Sequence, residues 1–352
     1  MNAEFSNLIK AARFPLVCLV VLVHSPLAAF PEVIWGDFSA TNIYNFVTQC
    51  LSHNYGEMSV CVFFFFAGIL FFNGMESFSW RWCLGKWRDR VHSLLIPFIC
   101  WNLLMVAAIA LKNSIFGLLG HYSAEEMEFV SPAHIHQWFL APINYPLWFV
   151  KDLMVMVIVA PLLYYIVSIL KNWSPVLLAI IYALPWEPTL VSTRAIFFFS
   201  MGAWCSLADF DVLRFCRKFR VPGHILAAAT LLLATFTNAS PIHGCTQKLF
   251  FPFGLISFLN IIDAVTAGRA SVQAKLQSLS ASVFFIYAAH EIYILGWTKG
   301  ICLRLFGESL PAMYIRYFLV PVIVVAVCYG LFRLLQRVTP KALAFLCGGR
   351  LS

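Results

Sequence analysis

Long apolar segments alternate with short polar connections along the whole chain. Each segment approaches the length of about 20 residues that a helix needs to cross a bilayer, so we predict about ten membrane-spanning helices. The fifth and sixth are short, and Pro185 and Pro188 obscure their junction. The predicted spans are 14–30, 58–73, 94–112, 146–168, 175–187, 194–208, 222–237, 248–265, 282–299 and 313–335.

The polar connections alternate in charge, which predicts an orientation. Connections 31–57 and 113–145 contain acidic residues and no lysine or arginine. The basic parts of the chain are 74–93, 209–221, 266–281 and the C-terminal tail. Because basic connections stay in the cytoplasm, we predict that both termini are cytoplasmic. Lys299 and Arg304 are the exceptions to the pattern.

The composition indicates one all-α membrane domain over residues 1–352. Of the 352 residues, 61% are apolar and 11% are charged, whereas a soluble domain has about 25% charged residues. We attribute the net charge of +8 to cytoplasmic connections and expect no nucleic-acid partner. The eleven cysteines include no CxxC pair and are predicted to be free thiols. The first helix is predicted to stay uncleaved because many spans follow it.

Arg13 and His24 bound the first apolar segment and are the main functional candidates. Eleven helical residues return to within about 20° of the starting direction, so both side chains share one face, about 16 Å apart along the axis. Charged or titratable groups within a bilayer are costly unless they face a protein cavity. The alternative for His24 is a hydrogen bond that joins two helices, and Arg13 would also serve as a topology anchor.

A dense basic turn precedes the third predicted span. It contains Lys86, Arg88 and Arg90, with His92 beside them. Guanidinium groups suit phosphate, so the turn is a candidate anion site on the cytoplasmic face. The alternative is that these cations only orient the protein in the membrane.

Further candidates are charged or titratable residues in or near the other spans. His290 and Glu291 lie in the middle of the ninth span, where they form either a functional site or a mutually satisfied structural pair. Glu57 lies at the outer end of the second span. Arg194 and the pair Lys151–Asp152 lie near an interface, where charge costs less, and we interpret them as structural.

The connection 113–145 contains three histidines, His121, His134 and His136. A His-x-His pair is compatible with metal binding, but no carboxylate or cysteine has a supporting spacing. We therefore predict a solvated loop over the bundle and no metal site.

Five stretches in order resemble the acyltransferase-3 family of integral membrane O-acyltransferases. The first is similar to the Arg-x10-His signature of that family, and the second to its Phe-Phe-x-x-Ser-Gly stretch. Ala67 replaces the usual serine, and Ser93 stands where an Arg-x-x-Arg pair would have its second arginine. The five stretches are Arg13 to Ser25, Val62 to Gly68, Lys86 to Phe98, Pro146 to Leu153 and Ile286 to His290.

The resemblance implies transfer of an acyl group, often acetyl, from cytoplasmic acyl-CoA to an extracytoplasmic hydroxyl of a carbohydrate or glycolipid. It implies a multi-pass protein of the bacterial cytoplasmic membrane, with acyl-CoA as co-substrate and no bound cofactor. A sugar hydroxyl needs a general base, and a histidine titrates close to neutral pH. His24 is therefore the predicted catalytic base, although an acyl-histidine intermediate is left open beside direct transfer.

The remaining candidates divide between the two substrates. Arg13 and the cations of the basic turn would hold the nucleotide and pyrophosphate of acyl-CoA. Residues predicted to support the acceptor are Glu57, Trp148, His290 and Glu291. Acceptor identity, the acyl chain and the oligomeric state are left open.

Two other functional classes are compatible with the residue pattern. A transporter that exports an acyl donor or a lipid-linked sugar would also use a polar stripe halfway across the membrane. A membrane sensor or scaffold is the third class, although it needs fewer titratable groups inside the membrane.

Overall fold

The computed structural model describes residues 2–26, 32–118 and 137–349, and these residues form helices and connections without a strand. The three histidines of connection 113–145 lie outside the described residues. In chain order, the first eight α-helices are α1 (Ala3–Val23), α2 (Ala40–Thr48), α3 (Glu57–Phe72), α4 (Trp80–Arg90), α5 (Ile96–Leu118), α6 (Trp148–Ile158), α7 (Ala160–Leu170) and α8 (Ser174–Ala183).

The second half continues as helices joined by short turns. They are α9 (Thr193–Leu207), α10 (Val212–Lys218), α11 (Arg220–Phe236), α12 (His243–Thr266), α13 (Ala270–Leu279), α14 (Val283–Ala289), α15 (Leu295–Phe306), α16 (Leu310–Val338) and α17 (Pro340–Leu346). Three π-helical segments interrupt the series, at Gln49–Gly56, Val91–Leu95 and His290–Ile294. Such segments often occur at functional sites.

The predicted apolar runs overlap with helices, although α1 extends from Ala3 to Val23 where the sequence predicts 14–30, and fewer than ten helices are candidate membrane crossings. By length and hydropathy, seven helices of the described chain could cross a membrane, or eight if the bent pair α9 and α10 forms one span. The count of ten and the orientation of the termini stay predictions. Part of the difference from ten lies in the fourth and fifth runs, where α7 and α8 together form one candidate span, Ala160–Ala183.

The outer surface of the bundle is apolar. Large side chains such as Leu111, Leu162 and Val322 are exposed on different helices. A water-soluble monomer rarely exposes apolar patches over so many elements, whereas acyl chains of lipids would cover them. The protein is therefore a multi-pass membrane protein.

Helix α1 lies inside the bundle. It packs against α3, α12, α13, α14 and α16, and Leu16 and Val17 in its middle are completely buried. Packing on several sides fixes the position of its C-terminal end, where His24 follows the last helical residue.

Helices α3 and α9 form the closest helix pair. A Cβ atom on Gly68 would lie 2.1 Å from the carbonyl oxygen of Phe199, and one on Gly202 would lie 2.2 Å from that of Phe65. Only glycine allows two backbones to approach so closely. Because the two helices run parallel at this distance, their first turns are adjacent, and those turns carry Glu57 and Arg194.

Candidate active site

The two residues of the predicted stripe belong to one continuous helix. Arg13 lies inside α1, and His24 caps its C-terminus. Both are partly buried. Arg13 has no hydrogen bond or ion pair with any described residue, and it does not line the cavity that contains His24.

His24 meets the residues that the sequence placed in the ninth predicted span. Nδ1 of His24 lies 3.4 Å from Oε1 of Glu291, and its ring centroid is 5.4 Å from that of His290. Tyr145 approaches edge-on, with ring centroids 6.2 Å apart. The sequence identified His24 and the pair His290–Glu291 as separate candidates, and the structure joins them into one cluster.

His290 has a defined hydrogen-bonding state. Its Nδ1 lies 2.7 Å from the carbonyl oxygen of Tyr287 and 3.2 Å from that of Ile286. Since carbonyl oxygens only accept, Nδ1 carries the proton and donates it. Nε2 is then a lone-pair acceptor, and it is buried without a hydrogen-bond partner among the described residues. A buried acceptor without a partner costs free energy, which suggests that this nitrogen has a role beyond packing.

The ninth predicted span is kinked directly after His290 and Glu291. On a regular α-helix, consecutive side chains point about 100° apart. Here the backbone leaves the helical conformation at Ile292 (φ −73°, ψ 75°) and Tyr293 (φ 59°, ψ −15°), so α14 and α15 are separate helices. A positive φ at a tyrosine is strained, and such strain clusters at functional sites.

Lys299, one of the two exceptions to the charge pattern, fixes the chain just after His24. Its Nζ donates a hydrogen bond of 3.1 Å to the carbonyl oxygen of Pro26. The lysine therefore ties α15 to the end of α1. The sequence signal that could have identified Lys299 as a site residue is its exception to the alternating charge of the connections.

The cluster of His24, His290 and Glu291 has the donor types of a metal site. One donor atom from each residue lies within 4.8 Å of the others, and two histidines with one carboxylate form a common zinc set. The ammonium group of Lys299 donates a hydrogen bond to the carbonyl oxygen of Pro26, two residues beyond His24. Its positive charge would repel a metal cation bound at the cluster. We therefore treat the cluster as a group for proton transfer.

His24 opens onto a cavity of about 300 Å³. Its wall is formed by α1, α3, α6, α9, α14 and the segments before α6 and α9. The lining residues are Val20, Val23, His24, Glu57, Val60, Tyr145, Pro146, Trp148, Phe149, Glu187, Ser192, Arg194 and Tyr287. Of the predicted site residues, His24, Glu57 and Trp148 share this cavity.

An ion pair between Glu57 and Arg194 forms part of the cavity wall. Nη1 of Arg194 donates to Oε2 of Glu57 at 2.7 Å, and its guanidinium carbon lies 5.1 Å from the ring centroid of Phe251. Nη2 approaches Oε1 of Gln247 at 3.5 Å. The sequence interpretation of Arg194 as merely structural is therefore incomplete, because its side chain lines the same cavity as His24.

Aromatic rings form much of the remaining wall. Trp148 and Tyr145 line it directly, and the rings of Phe149 and Tyr287 are in edge contact, 6.0 Å apart. The Tyr287 hydroxyl donates to the carbonyl oxygen of Pro146, so its proton is engaged within the protein. Nothing in the sequence indicated Tyr145, because it lies in an irregular connection.

Glu187 contributes a second carboxylate to the cavity, from the connection before α9. Thr193 donates to it through its hydroxyl at 2.6 Å, and the Lys248 ammonium lies 3.1 Å away. Burial alone would raise the pKa of Glu187, but the hydrogen bonds from Thr193 and Lys248 outweigh it, so the pKa lies below its ordinary value. This carboxylate is therefore ionised at neutral pH.

Lys151 and Asp152 lie behind the cavity wall. Their ion pair of 2.9 Å is buried, and Oδ2 of Asp152 accepts a hydrogen bond of 2.9 Å from the backbone nitrogen of Ser192. Ser192 in turn caps α9, the helix of Arg194. The pair thus holds the start of α9, which agrees with its structural interpretation.

The cations of the basic turn lie apart from this cluster, on and beside α4. Lys86 packs over the ring of Trp82 at 5.2 Å, Arg88 is exposed and Arg90 is partly buried. None of these three side chains forms an ion pair with a described residue. The structure does not join them to the His24 cluster.

The fold and the site define a multi-pass membrane protein with an acid–base cluster at the end of a central helix. A family model described as an acyltransferase domain, acyltransferase-3, matches residues 7–333. The chain therefore belongs to the acyltransferase-3 family and is an acyltransferase.

A curated relative supports the assignment. The chain is 26% identical to the succinoglycan biosynthesis protein ExoH of Rhizobium meliloti (strain 1021), over 99% of this chain and 94% of that protein. No solved structure matches the chain.

Proposed function

We propose that this protein is an O-acyltransferase that moves an acyl group, in the first instance acetyl, from acyl-CoA to a hydroxyl of a carbohydrate or glycolipid. The observation that carries the proposal is the His24 imidazole at the wall of a cavity, backed by Glu291 on Nδ1. Family membership supports the reaction class. The name of the relative, a succinoglycan biosynthesis protein, supports a polysaccharide or its precursor as acceptor.

His24 acts as the general base. Glu291 lies beside Nδ1, which leaves Nε2 to take the proton of the acceptor hydroxyl. The acceptor oxygen attacks the thioester carbonyl carbon, and the carbonyl electron pair moves to its oxygen. When the tetrahedral state collapses, the C–S bond breaks, and the CoA thiolate takes the proton back from His24.

Glu291 and His290 are positioning residues in this scheme. A carboxylate beside Nδ1 selects the imidazole tautomer and stabilises the imidazolium that forms during transfer. The separation of 3.4 Å is longer than a good hydrogen bond, and such contacts commonly shorten when substrate binds. The ring of His290, fixed through its Nδ1, limits the motion of the His24 ring.

The cavity suits a sugar. Its volume of about 300 Å³ is at the lower end of the range for small-ligand sites, about 300–1,000 Å³. Trp148 and Tyr145 offer aromatic faces to the apolar side of a pyranose ring, and Glu57 and Glu187 can accept hydrogen bonds from its hydroxyls. We expect the acceptor to bind here.

Acyl-CoA approaches His24 from the side of Arg13, which lies in the middle of α1. Arg13 and Arg90 are partly buried and unpaired among the described residues, and they supply positive charge for the CoA phosphates together with Lys86 and Arg88. With both termini in the cytoplasm of a bacterial inner membrane, the donor comes from the cytoplasm and the acceptor from outside.

The test is acyl transfer by the purified protein in lipid nanodiscs. Acetyl-CoA labelled in its acetyl group is supplied with maltose as the hydroxyl acceptor, and labelled ester and free CoA thiol are measured. We expect the wild type to form ester and His24→Ala to lower the rate by about 10²–10⁴-fold, the range for loss of a general base. His224→Ala is the matched control, because His224 hydrogen-bonds Ser257 and does not line the cavity.

Two results would contradict the proposal. One is His24→Ala protein that is present at normal levels and transfers acetyl at the wild-type rate. The other is a wild type that consumes no thioester but moves labelled donor across a vesicle membrane, which is the behaviour of a transporter.

A further inference from the structure

We infer that Arg194 stabilises the oxyanion that forms on the thioester carbonyl during acyl transfer. The inference rests on the proposed acyltransferase reaction and adds a catalytic residue to it. General acid–base groups account for the proton in such a reaction but not for the negative charge on the carbonyl oxygen. Stabilisation of that charge is often the largest single contribution to catalysis.

Arg194 has the required charge and the required place. Among the described residues that line the cavity, it is the only arginine or lysine. The His24 imidazole lines the same cavity. The attacking oxygen lies next to the base, so the carbonyl carbon and its oxygen lie within the same space.

The guanidinium also has donors to spare. Arginine has five N–H donors, and Arg194 makes two polar contacts within the protein, to Glu57 and Gln247. Its side chain is 28% exposed, and that exposed part borders the cavity. The remaining N–H groups can therefore reach a developing oxyanion.

The surroundings hold the guanidinium in place before the reaction. Glu57 anchors one edge, and Phe251 packs against its face. Gln247 is itself fixed, because its Nε2 donates to the carbonyl oxygen of His53 at 2.7 Å. The glycine contact between α3 and α9 sets the spacing of the helices that carry the ion pair. A donor that is already oriented does not have to reorganise in the transition state.

The other donors of the cavity are weaker candidates. The hydroxyl proton of Tyr287 is engaged with Pro146. Tyr145 and Trp148 offer neutral donors, which stabilise a full negative charge less than a cation does. The positive charge of Arg194 is also maintained, because arginine is not deprotonated in proteins and Glu57 lies beside it.

Loss of Arg194 should affect the donor half of the reaction whichever nucleophile attacks. The oxyanion forms on the acyl group, both when a sugar attacks and when water attacks. An arginine that only held an acceptor sugar would matter for transfer and not for hydrolysis. Comparing the two reactions therefore separates the two roles.

The experiment measures acetyl-CoA hydrolysis without acceptor and acetyl transfer to maltose, in Arg194→Lys, Arg194→Gln and Glu57→Gln protein. Arg304→Gln is the matched control, because Arg304 is exposed on α15 and does not line the cavity. We expect Arg194→Gln to lower kcat of both reactions by about 10²–10³-fold, as removal of one oxyanion donor does elsewhere. Maltose KM should stay at its wild-type value. Arg194→Lys keeps the charge beside Glu57 but loses the planar fork, so it should recover only part of kcat.

Three results would overturn the inference. The first is normal hydrolysis with a raised maltose KM in the Arg194 variants, which assigns the residue to acceptor binding. The second is wild-type kcat in Arg194→Gln. The third is a loss that tracks a lowered unfolding temperature in both Arg194 variants and in Glu57→Gln, which indicates a structural role. Failure of the proposed function looks different, since His24→Ala would then leave hydrolysis unchanged as well.

Discussion

The C-terminal end and the middle of helix α1 differ in how their polar side chains are satisfied. At the His24 end, acidic, basic and aromatic groups are joined to one another around a cavity, as in the pairs His24–Glu291 and Arg194–Glu57. In the middle of α1 and on α4, the cations Arg13 and Arg90 are partly buried, with no hydrogen bond or ion pair to a described residue.

This difference separates a catalytic site from a ligand site. A catalytic site requires groups whose orientation is set in advance by their neighbours. A site for a polyanion requires the opposite, because a cation that is already paired within the protein has less to offer a phosphate. The chain thus uses its charged residues in two distinct ways, at the C-terminal end of α1 and farther back along that helix and on α4.

The largest effect expected from this comparison is at Glu291. Glu291→Gln removes the charge beside Nδ1 of His24, and a misplaced base costs about 100-fold in rate. We expect kcat for acetyl transfer to fall by about that factor with an unchanged acetyl-CoA KM, and Glu291→Asp to recover part of it. Steady-state kinetics beside Glu308→Gln, an exposed carboxylate, checks the result. A raised KM at constant kcat would refute the positioning role.

A smaller effect of a different kind is expected at Arg13 and Arg90. Arg13→Gln and Arg90→Gln should each raise the acetyl-CoA KM by about tenfold, because one charge-assisted hydrogen bond to phosphate contributes about 1.5–3 kcal/mol. The kcat should stay near that of the wild type. Titration of acetyl-CoA at two salt concentrations, with the exposed Arg214→Gln variant as control, measures this. If kcat falls and KM does not move, these cations act in the chemical step and not in donor binding.

The sequence predicts local features of this site well and long-range ones poorly. The spacing of Arg13 and His24 predicts one face of one helix, and the structure contains that helix. The pair His290–Glu291 is also recognisable in the sequence, because titratable side chains inside an apolar run are energetically costly. Its meeting with His24 spans more than 260 positions, and neither that contact nor the backbone kink after the pair, at Tyr293, is indicated by a periodicity.

Arg194 shows why the remaining part of the site was missed. Its position near the end of a short apolar run favours a structural interpretation, since charge is cheap at an interface. The contact that changes this view is the close packing of Gly68 and Gly202, which brings the first turns of α3 and α9 together. No sequence pattern around either glycine indicates which helix it packs against.

The number of spans illustrates a second limit. Hydropathy predicts apolar runs, and the described helices coincide with them. Whether a run crosses the membrane once or is bent within it depends on breaks such as the 107° bend between α9 and α10. Composition does not report such angles.

Donor and acceptor should reach the His24 site from opposite sides of the membrane, and transfer across a sealed vesicle tests this arrangement. Among the cysteines, Cys245 is the exposed one and lies on the helix that carries Gln247, so a membrane-impermeant maleimide reports which molecules have the His24 end outward. With that fraction blocked or removed, acetyl-CoA is supplied outside and maltose is enclosed inside. Acetylated maltose should form in the lumen, and none should form when both substrates are placed on the His24 side. Ester formation that requires both substrates on the same side would contradict this arrangement.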